Sequence, residues 1–416
     1  MTSPQPHPDL ERLLDLVSVP RPNGSRALRR TARALRAHLA LSGVPCRAEP
    51  VRSAAYFNEL LGLWLILSGV GLLAAVVGPG GGVALAVALL VVLVPVLETG
   101  LLLPMVTGWI RVPAENLICE LRATEPREEI VVSAHYDSKT ELLDHLGRRW
   151  LLDPTRARVA MGLALLAGLA SMTASTLQVN GAGWAILPLL ISWVAAFPVA
   201  MFAAALGANL LLGRWRTPSS QGAVDNGAGV VVVMELCRRL AHGELTFRNI
   251  SVTGCLFTGE EVQMQGARSF LRGRRADALP RAMVNLEAVG QDGGYGIWEA
   301  DGTALTRRPL DPGLTESLEA SVRSVTGVPP YHLPTINSDA LPFLRAGIPA
   351  AVLSTLDRTH GLEGLHSPLD RRERVHAEKV SECVEVLVEW LGTIDREVGG
   401  REGTTGREIS TDPRDQ

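Results

Sequence analysis

Four stretches of the chain are apolar throughout and nearly free of charge. They are Leu60–Val77 (LLGLWLILSGVGLLAAVV), Val83–Leu103 with only Glu98 as a charge, Val159–Leu177 (VAMGLALLAGLASMTASTL), and Trp184–Leu212, which carries Pro188 and Pro198. A helix needs roughly 20 mainly apolar residues to cross a bilayer, and all four come close to or exceed that length. Their many Gly, Ala and Ser residues suit close helix packing in lipid. Short turns, GPGGG at 78–82 and the segment 178–183, join them in pairs, so the pattern predicts two transmembrane hairpins. Glu98 is the exception, because a carboxylate in lipid is costly unless it faces the bundle or an interface.

Elsewhere the pattern switches between short β-branched runs and helical periods. Ile130–Ala134, Ile250–Phe257, Met283–Val289 and Ala350–Leu353 read as strands. Gly227–Leu240 (with VVVVMEL), Met264–Leu271 and Ala340–Arg345 read as helices. Arg374–Leu391 reads as a closing amphipathic helix, apolar at Val380, Cys383, Val384, Leu387, Val388 and Leu391. Strand alternating with helix predicts an α/β fold with a largely parallel mixed sheet flanked by helices, interrupted by the helical hairpins. The implied organisation is a basic N-terminal region (1–59), hairpin 1 (60–103), a first part of the α/β domain (104–156), hairpin 2 (157–212) and its second part (213–395). A Gly-, Thr- and charge-rich tail (396–416) reads as disordered.

Composition narrows the function classes. The 416 residues are 47% hydrophobic and 20% charged, apolar for a soluble enzyme, and the formal charge of −3 gives no overall basic character. Zinc-finger spacing, RNP-like aromatics and long Lys/Arg tracts are all missing from the sequence, which argues against nucleic acid as a partner. The five cysteines are scattered and never in CxxC, which favours a reducing compartment over a disulfide framework. The start does not resemble a cleavable signal peptide, since the first apolar run begins near residue 60 after an arginine-rich segment.

Each hairpin leaves and returns on one side, so the polar parts share that side. Its flanks carry Arg26, Arg29, Arg30, Arg33, Arg36, Arg47, Arg52, Arg111, Arg148, Arg149, Arg156, Arg158, Arg214 and Arg216, while the opposite turns have no Lys or Arg. By the positive-inside rule the polar parts are cytoplasmic. The expectation is an integral protein of a bacterial inner membrane, with the lipid bilayer as a partner.

The chemistry-bearing residues lie at strand ends and helix starts. VVSAHYDS ends a strand on His135, with Asp137 two residues on and pointing the same way. QGAVDNGAGV sets Asp225 in a cramped turn before a helix, and CLFTGEEVQMQGA places Glu260 and Glu261 between strand and helix. VNLEAVG puts Glu287 on an otherwise apolar strand, and GLEGLHSPLD carries His366 before the last helix. Each has a plainer reading alone: a satisfied core histidine, an Asx cap, acids favoured at a helix start. Glu287 is harder to dismiss, because a buried carboxylate without a partner is costly. Two histidines and three carboxylates suffice to hold two Zn²⁺, one carboxylate bridging and a fourth left as a base.

In the order AHYDS, GAVDNGAG, FTGEE, NLEAVG, SDALPFLRAGIPA and LHSPLD, the chain resembles the di-zinc exopeptidases of peptidase family M28, which include bacterial leucyl aminopeptidase and glutamate carboxypeptidase. The resemblance spans roughly residues 114–393, interrupted by the second hairpin. It implies that His135 and Glu287 bind one zinc, Glu261 and His366 the other, with Asp225 bridging. It also implies Glu260 as general base and Asp137 as the partner that orients His135. The family often has Asp where this chain has Glu287, its usual SDH reads Ser338, Asp339, Ala340, and Ser367 stands where Thr is commoner. None of these departures removes a ligand. His135 argues against the glutaminyl cyclases, relatives with a single zinc and no ligand histidine there.

The reaction implied is hydrolysis of a terminal peptide or aminoacyl-amide bond by a metal-activated water, with Glu260 taking its proton and passing it to the leaving amine. Tyr331 reads equally as an oxyanion contact or as a packed aromatic. Glu299, Asp301, Asp339 and Glu363 are candidates to meet a substrate ammonium, and Arg345 or Arg358 a carboxylate. The resemblance favours an aminopeptidase. An amidohydrolase or carboxypeptidase acting on blocked or modified amino acids, and a non-catalytic membrane receptor or scaffold of the same fold, are the alternatives.

Overall fold

The computed structural model describes residues 9–400 except 79, 144–146, 148–150, 152, 304–306 and 358–362. Two helices, α1 (Asp9–Val17) and α2 (Arg26–Leu41), precede strand β1 (Cys46–Ser53). The apolar helices α3 (Phe57–Val77) and α4 (Gly81–Pro95) follow, α4 running on as a π turn over Val96–Gly100. Strands β2 (Val112–Leu121) and β3 (Glu128–His135) lead to the second apolar pair, α5 (Pro154–Val179) and α6 (Ile186–Gly213). Then come α7 (Ala228–Ala241), β4 (Ile250–Phe257), α8 (Gln265–Arg272), β5 (Ala282–Leu286) and β6 (Gly293–Trp298). A small ribbon of β7 (Ala300–Asp301) and β8 (Arg308–Pro309) precedes α9 (Pro312–Thr326), β9 (Tyr331–Leu333), α10 (Ala340–Arg345), β10 (Ala350–Asp357) and α11 (Ala377–Gly400).

The main sheet runs β1-β2-β4-β3-β5-β10-β6-β9. Its centre, β4-β3-β5-β10, is parallel, and β1-β2, β2-β4 and β10-β6 pair antiparallel. Alternation along β3 feeds both faces, as a period of two requires. Ile130, Val132 and Ala134 face a core shared with α1, α2, α7 and α11, while Val131 faces one shared with α8 and α10. Phe257, Phe270 and Phe343 close the second core, with ring centroids 5.6 Å apart for Phe257–Phe270 and 6.0 Å for Phe270–Phe343.

Within the basic N-terminal region, α1, α2 and β1 pack into this unit. Leu10, Leu13, Leu14 and Val17 of α1 are buried in the first core, and β1 pairs with β2 over its whole length. The strand predicted over Met283–Val289 stops at Leu286, because the chain turns with Ala288 at φ +55° and Gly290 at φ +89°. The Glu287 amide still donates to the Leu353 carbonyl of β10 at 2.9 Å, so the chain leaves the sheet just beyond it. The closing helix extends beyond Leu391 because Ile394 and Val398 continue its buried stripe, so residues 396–400 are its last turns and not tail. Residues 401–416 lie outside the described residues.

Among the described residues, four helices are long and apolar enough to cross a membrane: Phe57–Val77, Gly81–Gly100, Thr155–Val179 and Gly183–Gly213. They pack through small side chains, with Ala84, Ala88, Ala164, Ala167, Ala195 and Ala196 buried among Leu72, Val76 and Val199. At the crossing of α3 and α6 a methyl added to Gly62 would lie 2.5 Å from the Gly207 carbonyl oxygen, so this approach requires glycine. Glu98 sits at the end of its span and is satisfied there. Its carboxylate accepts from the Val106 and Thr107 amides and, at 2.6 Å, from the Thr107 hydroxyl, tying the helix to the linker that enters β2.

Candidate metal centre

The parallel strands deliver the candidate residues to one edge of the sheet. His135 ends β3, Glu260 and Glu261 follow β4, Glu287 follows β5 and His366 lies on the loop after β10. This is the carboxyl edge, where open α/β sheets place their sites. Asp225 comes from the turn Ala223–Gly227, entered through Gly222 at φ +63°; the Asp225–Asn226 peptide is cis. His366 has φ +60° and Ala288, beside Glu287, φ +55°. Non-glycine residues held there cost on the order of 1–3 kcal/mol, and such strain clusters at functional sites.

The side chains converge in two groups. His135 Nε2 lies 3.1 Å from Asp225 Oδ1 and 3.2 Å from Glu287 Oε1. His366 Nε2 lies 2.9 Å from Asp225 Oδ2 and 3.0 Å from Glu261 Oε1. Within each triad, His135–Asp225–Glu287 and Asp225–Glu261–His366, one ligand atom per residue lies within 4.8 Å of the others. Asp225 belongs to both and turns a different oxygen to each histidine. Glu260 belongs to neither, and its Oε2 stands 3.9 Å from His135 Nε2.

A second layer holds these groups. Asp137 lies 3.6 Å from His135 Nδ1 through Oδ1. Its carboxylate also accepts from the amides of Glu260 (3.3 Å) and Glu261 (3.1 Å) and from Asn23 Nδ2 (2.6 Å). One buried acid thus fixes the histidine and the backbone of both glutamates. Asn285 donates to Glu287 Oε2 at 3.1 Å and is itself held by the Ser133 hydroxyl. Asp370 accepts from the Val224 amide at 2.8 Å and so braces the Asp225 turn. Arg21, fully buried, donates to the carbonyls of Tyr136 and Gly222. Burial pulls its guanidinium down to about 10 against the opposing pull of Asp370, Asp137 and Asp225. Sequence reasoning missed Arg21, Asn23, Asn285 and Asp370. The only trace of the first two is VPRPNG, whose prolines and Asn-Gly mark a rigid turn.

The donor set fits two divalent cations. Asp225, Glu260, Glu261 and Glu287 are buried against two imidazoles, an excess of negative charge even with both rings protonated. Buried charge of one sign demands a counter-charge, and imidazole with carboxylate is a zinc donor set. The titrations carry the same imbalance. Burial, with Asp225 and Glu261 adding to it, outweighs the pull of His135 and holds Glu287 up to about 7. Burial, with Glu287, Glu261 and Asp339 nearby, holds Glu260 well above the carboxylate range despite His135. Burial alone would depress His135, yet Glu287, Asp137 and Asp225 raise it well above its usual value.

A pH dependence follows. The folded, metal-free chain keeps the Glu260 and Glu287 protons to higher pH than the unfolded chain does. The stability these two protons add is therefore full below the ordinary carboxylate range, about 4.3, and is lost as pH rises toward 7 and beyond. His135 acts in the same direction, since the stability it adds is lost above its unfolded value of about 6.5. Zinc binds the deprotonated ligands and so stabilises more as pH rises. Thermal unfolding of chelator-treated protein is expected to show a lower Tm at pH 8 than at pH 5, with added zinc removing the decline. A metal-free Tm that is flat or rises across this range would contradict the assignment.

Other candidates fall outside the cluster. Tyr331 stands exposed on edge strand β9 with its ring over Gly294. Arg345 donates to the Gly100 carbonyl at 2.5 Å and so is committed to the linker after α4. Asp301 accepts from the amide and hydroxyl of Ser338 and fixes the loop before α10. Glu299 is about half exposed near Arg307, and the Glu363 carbonyl accepts from Arg374. Arg358 lies outside the described residues, as do Arg148 and Arg149. Asp339 is fully buried, and burial with Asp137, Glu287 and Asp301 nearby holds its carboxyl well above the usual range despite His135.

Comparison with known proteins bears on the fold. The model of peptidase family M28 matches residues 210–391. A search of curated protein sequences found no match. An aminopeptidase from Aneurinibacillus sp. strain AM-1 superposes with TM-score 0.53 at 12% identity, covering 92% of this chain and 92% of that one. A zinc aminopeptidase from Bacillus subtilis gives 0.52 at 13% identity, covering 95% and 96%. A glutaminyl cyclase from Bacteroides thetaiotaomicron gives 0.54 at 12% identity, covering 94% and 99%. At such identities the likeness is one of fold. The chain carries the M28-family zinc exopeptidase fold. With both ligand triads in place on that fold, it is a zinc-dependent exopeptidase.

Proposed function

We propose that this protein is a membrane-anchored aminopeptidase with two zinc ions, its catalytic domain on the cytoplasmic side. The observation that carries the reading is Asp225, whose two oxygens face His135 and His366 separately, with Glu260 beside them and outside both triads. His135 and Glu287 would hold one ion and Glu261 and His366 the other, with Asp225, a member of both triads, available to each. Bound zinc supplies Lewis acidity that lowers the pKa of a water and polarises a carbonyl. Glu260 is the general base. Its carboxylate stands beside His135 and outside both triads, placed to accept a proton from the water and return it to the leaving amine. Asp137 keeps the His135 ring and the Glu260–Glu261 backbone in register.

Charge supports the choice of terminus. The cationic candidate Arg345 is spent on the Gly100 carbonyl, whereas Asp339 adds a buried carboxylate whose oxygens have no hydrogen-bond partner among the described residues. A substrate α-ammonium complements that surplus better than a carboxylate does. The bilayer reading rests on the helices. Only 33–39% of their apolar windows is buried, and Leu67, Val70, Leu190, Val194, Phe197 and Met201 are exposed. An apolar surface of that extent on a soluble chain would be an interaction site. Exposed Trp184 at the far turn, and Trp109 and Trp215 at the near ends, suit interfacial belts.

The test is hydrolysis of paired aminoacyl amides, free and N-acetylated, by detergent-purified protein. The free amines are expected to turn over at least about 100-fold faster, since a site built around a polar group rejects its absence strongly. Equal or faster cleavage of the blocked partners would replace the aminopeptidase with an amidohydrolase on acylated substrates.

A further inference from the structure

The two metal positions are supported from different parts of the chain. Around His135 and Glu287 the named supports are Asp137, Asn285 and Ser133, all on or just after the sheet strands β3 and β5. Around Glu261 and His366, Asp137 reaches the Glu261 amide as well, and the further supports come from the apolar helices.

Asn209 lies on the inner half of α6, a helix otherwise almost wholly apolar, and is buried. A polar side chain in such a helix is costly unless it is paired. Its Nδ2 donates to Glu141 Oε2 at 2.7 Å and its Oδ1 accepts from the Leu143 amide at 2.8 Å. Glu141, fully buried, lies 3.4 Å from His366 Nδ1 through Oε1, and its amide donates to the His366 carbonyl at 2.8 Å. Lys139 completes the pairing at 2.6 Å. The helix runs flush against this segment, since a methyl on Gly213 would meet the Thr140 carbonyl oxygen at 2.2 Å.

The first hairpin reaches the same position. Asn58, in the first turn of α3, donates through Nδ2 to the Glu261 carbonyl at 3.2 Å. Val262, the next residue, is buried with Phe57, Leu61 and Leu65 of α3 and Ala203 of α6. The two helices are locked to each other by the Gly62–Gly207 approach and by Glu59 with Arg214 at 2.9 Å. Both ends of this clasp therefore bear on ligands of one triad, Asp225–Glu261–His366.

We infer that the docked apolar helices set the geometry of that one metal position, with Asn209, acting through Glu141 on His366, and Asn58, acting on the Glu261 backbone, as positioning residues. The inference rests on the two-metal reading of the site. Groups that orient a ligand commonly change metal affinity 10- to 100-fold when removed. The hairpins then do more than anchor: the second metal is held tightly only when α3 and α6 are seated on the catalytic domain.

The experiment is a metal titration of the full-length protein in detergent, with Zn²⁺ by calorimetry and with Co²⁺ by its visible spectrum. The variants are Asn209→Leu, which keeps size and removes the amide, and Asn58→Leu, with Met201→Ala as a lipid-facing control. In Asn209→Leu one of two affinities is expected to fall 10- to 100-fold while the other matches wild type, and the Co²⁺ spectrum to lose the contribution of one site. Asn58→Leu carries the same expectation and serves where Asn209→Leu does not fold, while Met201→Ala keeps both affinities. Two unchanged affinities in both variants, or an equal fall at both positions, would overturn the inference and leave the two-metal reading standing. A wild type that binds fewer than two ions would remove the two-metal reading and the inference with it.

Discussion

Asp225→Ala is expected to empty both metal positions at once. The residue gives Oδ1 to the side of His135 and Glu287 and Oδ2 to the side of Glu261 and His366, so its loss leaves each position with two protein donors. The remaining histidine–glutamate pairs lie across the vacated bridge, with no third ligand to draw them together. Metal analysis after dialysis should fall from about two zinc ions per chain to near none, a larger loss than from Glu287→Ala, which touches one triad only. Retention of one tightly held ion in Asp225→Ala would show that the carboxylate serves one position and does not bridge. Because Asp370 and Gly222 set the backbone of the Asp225 turn independently of its side chain, the variant is expected to fold.

Glu260→Gln is expected to do the opposite: keep the metal and lose the reaction. Glu260 lies outside both triads, and an amide of the same size preserves the packing beside His135. It cannot accept a proton from water. Removal of a general base typically costs 10²- to 10⁴-fold, and the loss should fall on kcat with KM little changed. Zinc content equal to wild type makes the effect diagnostic. A variant with unaltered kcat would move the base elsewhere in the site, and one that loses zinc would make Glu260 a ligand.

The parts of this site that the sequence reveals are those whose signal is local. A β-branched run ending in His135, two adjacent acids after a strand and a carboxylate beside an apolar strand are anomalies within a few residues of chain. The strands that carry them, Ile130–Ala134 and Ile250–Phe257, are buried on both faces and read as continuous apolar runs. The outer strands do not. β1 is CRAEPVRS, polar and broken by Pro50, and β6 begins Gly-Gly, so neither has the composition of a strand. The α1 and α2 helices are amphipathic, yet the arginines of α2 read only as a basic flank of the first hairpin.

The supporting layer is illegible for a different reason. Asn23 reaches Asp137 across 114 residues, and Asn209 reaches Glu141 across 68. Nothing in either local stretch shows what it will touch. Glu98 lies between these cases. The sequence shows that it needs a partner, and the fold supplies Thr107.

Bound metal decides between catalysis and binding. The most direct measurement is zinc per chain on full-length protein purified in detergent, taken together with hydrolysis of a free-amine aminoacyl amide before and after chelation. About two zinc ions per chain, with activity lost to the chelator and restored by zinc, is the predicted result. A chain that takes up no zinc and cleaves no amide would contradict it, and would leave a protein that uses the same fold for binding alone.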